Sequence, residues 1–194
     1  MSTTVYVSGD ASALAVGADR IARAIADQAA RKGADVRVVR NGSRGMFWLE
    51  PLVEVATPAG RIAYGPVQPK DVEGLFAAGF LQGAAHALKL GKVEDIAYFR
   101  KQERLTFARV GLTDPLSLDD YRAHGGLAGL KRALEISAED IVKIVTDSGL
   151  RGRGGAAFPA GIKWKTALGA QGAQKYIVCN ADEGDSGTFS DRML

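Results

Sequence analysis

Cysteine is nearly absent from this chain. Cys179 is the only one among 194 residues, which excludes an internal disulfide, a four-thiolate zinc site and an iron–sulfur cluster ligated by these residues alone. Histidine is almost as scarce. His86 stands in the Ala/Leu-rich stretch 84–88, expected to be helical, and His124 precedes Gly125-Gly126 at an expected turn. Both read as structural or surface residues and not as ligands. No apolar run reaches the roughly 20 residues of a membrane span. Met1-Ser2-Thr3-Thr4 has neither the charged start nor the apolar core of a signal peptide, so a cytoplasmic location without direct membrane insertion is expected. Aromatic residues are only 7%, and 25 cations are interspersed with 22 acids for a net charge of +3. Without a basic stripe interleaved with aromatic rings, a nucleic-acid partner is not expected.

Glycine, by contrast, is plentiful at 24 residues, and it concentrates in the run Gly149-Leu150-Arg151-Gly152-Arg153-Gly154-Gly155-Ala156-Ala157-Phe158-Pro159-Ala160-Gly161-Ile162-Lys163-Trp164. Gly152, Gly154 and Gly155 can take positive φ and carry no Cβ, so backbone N–H groups can approach an anion closely. Arg151 and Arg153 add charge, and Phe158 offers a stacking face. Pro159 opens an expected helix whose free N–H groups and dipole favour a phosphate, with Lys163 on its first turn or just beyond. The run is neither a dinucleotide fingerprint, because the preceding segment reads as helix, nor a P-loop, because the Gly-Lys-Ser/Thr ending is missing. A flexible Gly/Arg surface loop is the plain alternative.

Before this loop, strands are expected at Thr4–Ser8 and Val36–Val39, with a helix from Val16 to Lys32 that Gly33 ends. Leu52–Ala56 and Arg61–Tyr64 form a hairpin about Thr57-Pro58-Ala59-Gly60, and a helix follows from about Pro69 to Phe80. The order βαβββα outlines a thioredoxin-like domain over 1–80. Residues 81–115 read as a helix-rich, charged connection, and 116–194 as a second domain. Ser117-Leu118-Asp119-Asp120 and Ser137-Ala138-Glu139-Asp140 have the Ser-x-x-Asp form of helix starts. A buried strand, Lys175–Cys179, is expected to deliver an acceptor-rich loop with Asn180, Asp182, Glu183, Asp185 and Thr188 at its C-terminal end, where ligand sites favour lying. Such carboxylates suit Mg²⁺ or Ca²⁺, acid–base work, or hydrogen bonds from ribityl and ribose hydroxyls; an acidic turn is the plain alternative. A cationic loop and an acidic loop joined by one helix and one strand make complementary halves of a nucleotide pocket.

Over roughly Lys101 to Leu194, and most strongly over Gly149–Trp164 and Lys175–Arg192, the chain closely resembles a family of flavin- and NAD-binding subunits. That family includes the NADH-oxidising subunit of respiratory complex I, the diaphorase subunits of NAD-reducing hydrogenases and the β subunit of NAD-dependent formate dehydrogenase. Lys101–Gly111 and Asp114–Tyr121 look most like the formate dehydrogenase branch. The resemblance implies an α/β chain in which the thioredoxin-like domain is followed by the start of the FMN-binding α/β domain of the complex I NADH-oxidising subunit. It further implies FMN at Gly152, Arg153, Gly154, Gly155 and Lys163, with Asn180, Asp182 and Glu183 bonding its polar groups. Phe158 would stack on NAD(H), and Asp185 would sit at the nicotinamide dinucleotide. Three positions depart from the pattern: Ala157 replaces a frequent glycine, Asp185 a frequent glutamate, and Thr166 an aromatic residue that stacks on adenine in complex I members.

The same resemblance implies a multisubunit electron-transfer oxidoreductase in which hydride transfer is the work of FMN and no protein residue is catalytic. Its partners would be a molybdenum-containing formate dehydrogenase α subunit and a small [2Fe–2S] γ subunit, and a [4Fe–4S] cluster is expected only in a region beyond these residues. The chain reads as a fragment, expected to bind FMN poorly or not at all and to be inactive alone. Relatives of the first domain carry cluster cysteines where this chain has Ser8, Ala13, Ser43 and Phe47, so that domain is expected to be degenerate and kept for docking or structure. Within the family the alternative is a diaphorase subunit of an NAD-reducing hydrogenase or of NADH:quinone oxidoreductase; outside it stand a metal-dependent phosphotransferase using Asp182, Glu183 and Asp185, and a non-catalytic docking module with an inert flavin half.

Overall fold

In a computed structural model of the chain, residues 2–105, 107–180 and 183 are described. They divide into two compact units, Met1–Ala128 and Gly129–Leu194.

The first unit is built on a sheet. Strands β1 (Thr3–Val7), β2 (Val36–Val39), β3 (Val53–Thr57), β4 (Gly60–Tyr64) and β5 (Lys89–Lys92) lie in the order β2-β1-β3-β4-β5. β1 and β2 are parallel, and every other pair is antiparallel. A parallel pair needs a crossover, which α1 (Ala11–Ala15) and α2 (Ala18–Arg31) supply. α2 is the helix expected from Val16 to Lys32; it begins at Ala18 because Gly17, at φ +101, has a left-handed backbone that cannot continue an α-helical turn, and α1 before it is a separate short helix outside that expectation. The outline βαβββα is therefore observed with an added short helix, α1, and a fifth strand, and its strand order and directions are those of a thioredoxin-like fold.

Alternation along the strands sorts their side chains onto two faces. Val5, Val7, Val53 and Val55 meet Ile21 and Ile25 of α2, and Val72 and Leu75 of α3 (Val72–Ala77), in an apolar core completed by Tyr64 and Phe80. Each such side chain fully removed from water contributes about 1.5–3 kcal/mol. The opposite face carries a smaller cluster of Met46, Leu52, Ala63, Val93 and Phe99. The expected helix from Pro69 to Phe80 is shorter: a 3₁₀ turn at Pro69–Asp71 precedes α3, and Gly79 at φ +81 ends it before a second 3₁₀ turn. The expected helical connection is also corrected. Residues 84–88 are non-helical, with His86 Nδ1 accepting the Leu88 N–H at 3.1 Å, and β5 follows at once. Among the described residues between 81 and 115, the only α-helix is the single turn α4 (Ala97–Arg100). β4 offers an open edge, and main-chain pairing with β5 satisfies it at the expense of local helix propensity.

The last helix of this unit, α5 (Leu118–Ala123), starts as the sequence predicts, with Ser117 Oγ accepting the Asp120 N–H at 3.1 Å. α6 (Ala128–Ala133) begins at the division between the units. The second unit then comprises α7 (Ala138–Asp147), α8 (Ala160–Gly169) and the glycine loop between them. Ser137 caps α7 by accepting the Asp140 N–H at 3.0 Å. α7 and α8 touch at a point that tolerates only glycine, since a Cβ on Gly161 would overlap the Cα and Oγ1 of Thr146. Gly161 is the only buried residue of this unit among those described.

Candidate functional site

The glycine loop closes into a small ring. Gly152 N–H donates to Phe158 O at 2.8 Å and Ala160 N–H to Leu150 O at 2.9 Å, so Arg151 and Pro159 form an isolated antiparallel bridge at its neck. Within the ring only Gly155 takes a positive φ among the glycines, +103; Gly152 and Gly154 do not. Ala157 does, at +49, a conformation that costs a residue with a Cβ about 1 kcal/mol. It is the position where the sequence shows alanine in place of a frequent glycine. Among the described residues the N–H groups of Arg153, Gly154, Gly155, Ala156, Ala157 and Phe158 have no hydrogen-bond partner, and nothing lies within 4 Å of where a Cβ on Gly154 would be. Six successive free donors on an open backbone suit an anion.

The cations around the ring are held in different ways. Arg151 Nε donates to Ala157 O at 2.6 Å and Arg153 Nη1 to Arg151 O at 2.7 Å, so both guanidinium groups brace the loop while adding positive charge to it. Lys163, one turn into α8, holds its Nζ 5.6 Å from the centre of the Phe158 ring. Phe158 is half exposed, leaving ring surface for a ligand. The loop therefore brings Gly152, Arg153, Gly154, Gly155, Phe158 and Lys163 together.

The acidic half is placed differently. Residues 175–179 form no strand, and Tyr176, Ile177 and Val178 are all exposed, which corrects the expected buried strand. A strand needs a neighbour for its main-chain groups, and none pairs with this segment among the described residues. Lys175 Nζ instead donates to Ala167 O and Leu168 O at 2.8 Å, filling carbonyls that the end of α8 leaves open. Asn180 and Glu183 lie at the limit of the described residues, and Asp182 and Asp185 lie outside them.

A second polar cluster, in the thioredoxin-like unit, has no counterpart among the sequence expectations. At the positions where relatives are expected to carry cluster cysteines, Ser8 Oγ accepts the Asp10 N–H at 3.3 Å, Ser43 Oγ donates to Glu50 Oε1 at 3.0 Å, Ala13 is buried in the core and Phe47 is exposed. Ser43 N–H also donates to Asp10 Oδ2. Beside them Arg44 makes a two-pronged pair with Glu54, at 2.5 and 2.7 Å, with both side chains almost fully buried. Arg61 reaches Glu54 at 3.3 Å, stacks 3.4 Å from the Tyr6 ring centre and donates to Gly111 O and Leu112 O at 2.6 Å. Burial pushes the Glu50 carboxyl above its ordinary value, against the lowering effect of the Leu52 N–H and the Ser43 hydroxyl. The only sequence signal for this network is a charged residue, Glu54, between two core valines, which period-two alternation alone assigns to a solvated face.

Residues 145–194, which contain the glycine ring, α8 and the acidic stretch, match the Nuo51 FMN-binding domain. The chain is 53% identical over 95 residues to the NADP-reducing hydrogenase subunit HndC of Solidesulfovibrio fructosivorans, covering 49% of this chain and 19% of that protein. It is 46% identical over 93 residues to the F 2 subunit of NADH-quinone oxidoreductase from Rhizobium meliloti, with 47% and 22% covered. To the NAD-reducing hydrogenase HoxS subunit alpha of Cupriavidus necator it is 49% identical over 126 residues, with 55% and 21% covered. The chain thus spans about a fifth of the length of the curated relatives it matches. Among solved structures, a thioredoxin-like [2Fe-2S] ferredoxin from Aquifex aeolicus aligns with 49% of this chain and 96% of its own, at 17% identity and a TM-score of 0.41. No helix among the described residues is long and apolar enough to cross a membrane.

Proposed function

We propose that the Nuo51-matching segment supplies the phosphate-binding part of an FMN site in an NAD(H)-linked electron-transfer subunit. The observation that carries this reading is the run of six unpartnered N–H groups, Arg153 to Phe158, in the loop where Lys163 Nζ meets the Phe158 ring. The donors and the Lys163 ammonium suit a phosphate dianion, and the open face of Phe158 suits a flat ring. Lys163 would neutralise phosphate charge, Asn180, Asp182 and Glu183 would bond the flavin's polar groups, Phe158 would stack on NAD(H), and Asp185 would act on the nicotinamide dinucleotide. FMN, when bound, supplies the hydride and single-electron chemistry. The protein's part is to hold the two rings together and tune them.

Within that reading the chain is placed in an NAD-dependent formate dehydrogenase, beside a molybdenum-containing α subunit and a [2Fe–2S] γ subunit. The residues that support this are Lys101–Gly111 and Asp114–Tyr121. The 53% identity to a hydrogenase subunit favours a second reading, a hydrogenase diaphorase subunit. Co-purification of the native complex followed by metal analysis separates the two, since molybdenum supports the first and nickel the second.

The FMN site is tested by titrating the chain with FMN and with riboflavin while following flavin fluorescence. FMN is expected to bind about tenfold or more tightly than riboflavin, with Lys163→Glu removing most of the difference. Equal affinities for the two flavins would remove the phosphate from the loop.

A further inference from the structure

The thioredoxin-like unit holds a cavity of about 610 Å³ between the turn at 43–45 and the segment 98–110. Two guanidinium groups converge on one ring at its wall: Arg104 lies 4.7 Å and Arg44 5.6 Å from the centre of Phe99. Their situations differ. Arg44 has its carboxylate in Glu54, whereas among the described residues no carboxylate lies within ion-pair distance of Arg104. Burial and the neighbouring Arg44 charge both push the Arg104 guanidinium below its ordinary value, so the site disfavours the cation it contains. An incoming carboxylate would reverse that balance.

The rim is apolar and uncovered. Leu105 is 89% exposed and Phe107 64%, and Trp48, itself exposed, meets Tyr98 edge-on at 5.1 Å. The surrounding segment, 97–112, carries four cations and a single acid, Glu103. The cavity is large enough for several side chains. An unmatched cation at its wall, apolar rings at its mouth and an excess of positive charge around it together specify the chemistry of what fits.

We infer that this cavity is a docking site for an acidic polypeptide segment of a partner protein, which places a carboxylate against Arg104 and apolar side chains over Leu105 and Phe107. The inference uses only the thioredoxin-like unit and stands or falls apart from the flavin reading.

The test is fluorescence anisotropy of the 194-residue chain with a labelled random copolymer of glutamate and tyrosine. The copolymer is expected to bind, about tenfold more weakly to Arg104→Glu and several-fold more weakly to Phe107→Ser. Arg104→Gln, which cannot introduce repulsion, is expected to weaken binding to an intermediate degree, with the thermal midpoint of each variant unchanged. No binding, or binding that neither Arg104 variant weakens, would overturn the proposal. Displacement of the copolymer by free glutarate at equal carboxylate concentration would also overturn it, by assigning the cavity to small anions.

Discussion

The two units use the same kinds of residue to opposite ends. In the first, a closed set of strands and helices covers Val5, Ile25, Val55 and Phe80 completely, and even Arg44 and Glu54 are taken out of water. In the second, Ile144, Ile162, Trp164 and Ile177 are exposed, and burial reaches only Gly161 among the described residues. Apolar content alone therefore does not make a core. A sheet brings remote segments together and buries both faces, whereas two short helices and a loop hold one line of contact. Stability is spread over many side chains in one unit and concentrated at Gly161 against Thr146 in the other.

The largest effect expected from breaking this contrast comes from Glu54→Ala, which leaves Arg44 buried without a carboxylate and should cost about 3–5 kcal/mol. Urea unfolding followed by far-UV circular dichroism measures it. Next is Gly161→Ala in the second unit, where the added methyl would drive α8 from Thr146 at a cost of about 1–3 kcal/mol. Faster amide hydrogen exchange in α7 and α8, with the sheet amides unchanged, is the expected signature.

The third effect depends on pH. Burial raises the Glu50 carboxyl above 4.5, so the folded chain holds that proton more tightly than the unfolded chain does. Its contribution to stability is fully present below pH 4.5 and is lost as pH rises through the raised value. Glu50→Gln should flatten that fall, as read from thermal midpoints across the acid range. An unchanged pH profile would mean that Glu50 does not titrate differently in the fold. The smallest effect is Ala157→Gly, expected to stabilise the loop by up to about 1 kcal/mol by relieving a left-handed alanine. Exchange rates of the ring amides over 151–160 would report it.

What is legible in the sequence follows the same division. Val36–Val39 and the hairpin about Pro58 and Gly60 are readable because each carries its own alternation or turn chemistry. The caps at Ser117 and Ser137 are readable because the three-residue spacing is itself the interaction. β5 is not, since Lys89-Leu90-Gly91-Lys92 has little strand character of its own and is recruited by the edge of β4. The reverse error occurs at Tyr176-Ile177-Val178, whose composition is that of a buried strand but which has no paired neighbour among the described residues. In the glycine loop the conformations are legible only in part: open N–H groups are expected and found, but the left-handed backbone falls on Gly155 and Ala157 and not on Gly152 or Gly154.

The grip of Asn41 and Arg61 on the carbonyls of Gly111 and Leu112 has a consequence for how the chain survives cutting. The trypsin site at exposed Lys101 lies before this clamp, whereas Gly111 and Leu112 are tied to residues 50 to 70 positions earlier. A nick after Lys101 should therefore separate the fragments on a denaturing gel yet leave them travelling together through a sizing column, and Arg61→Ala should let them part.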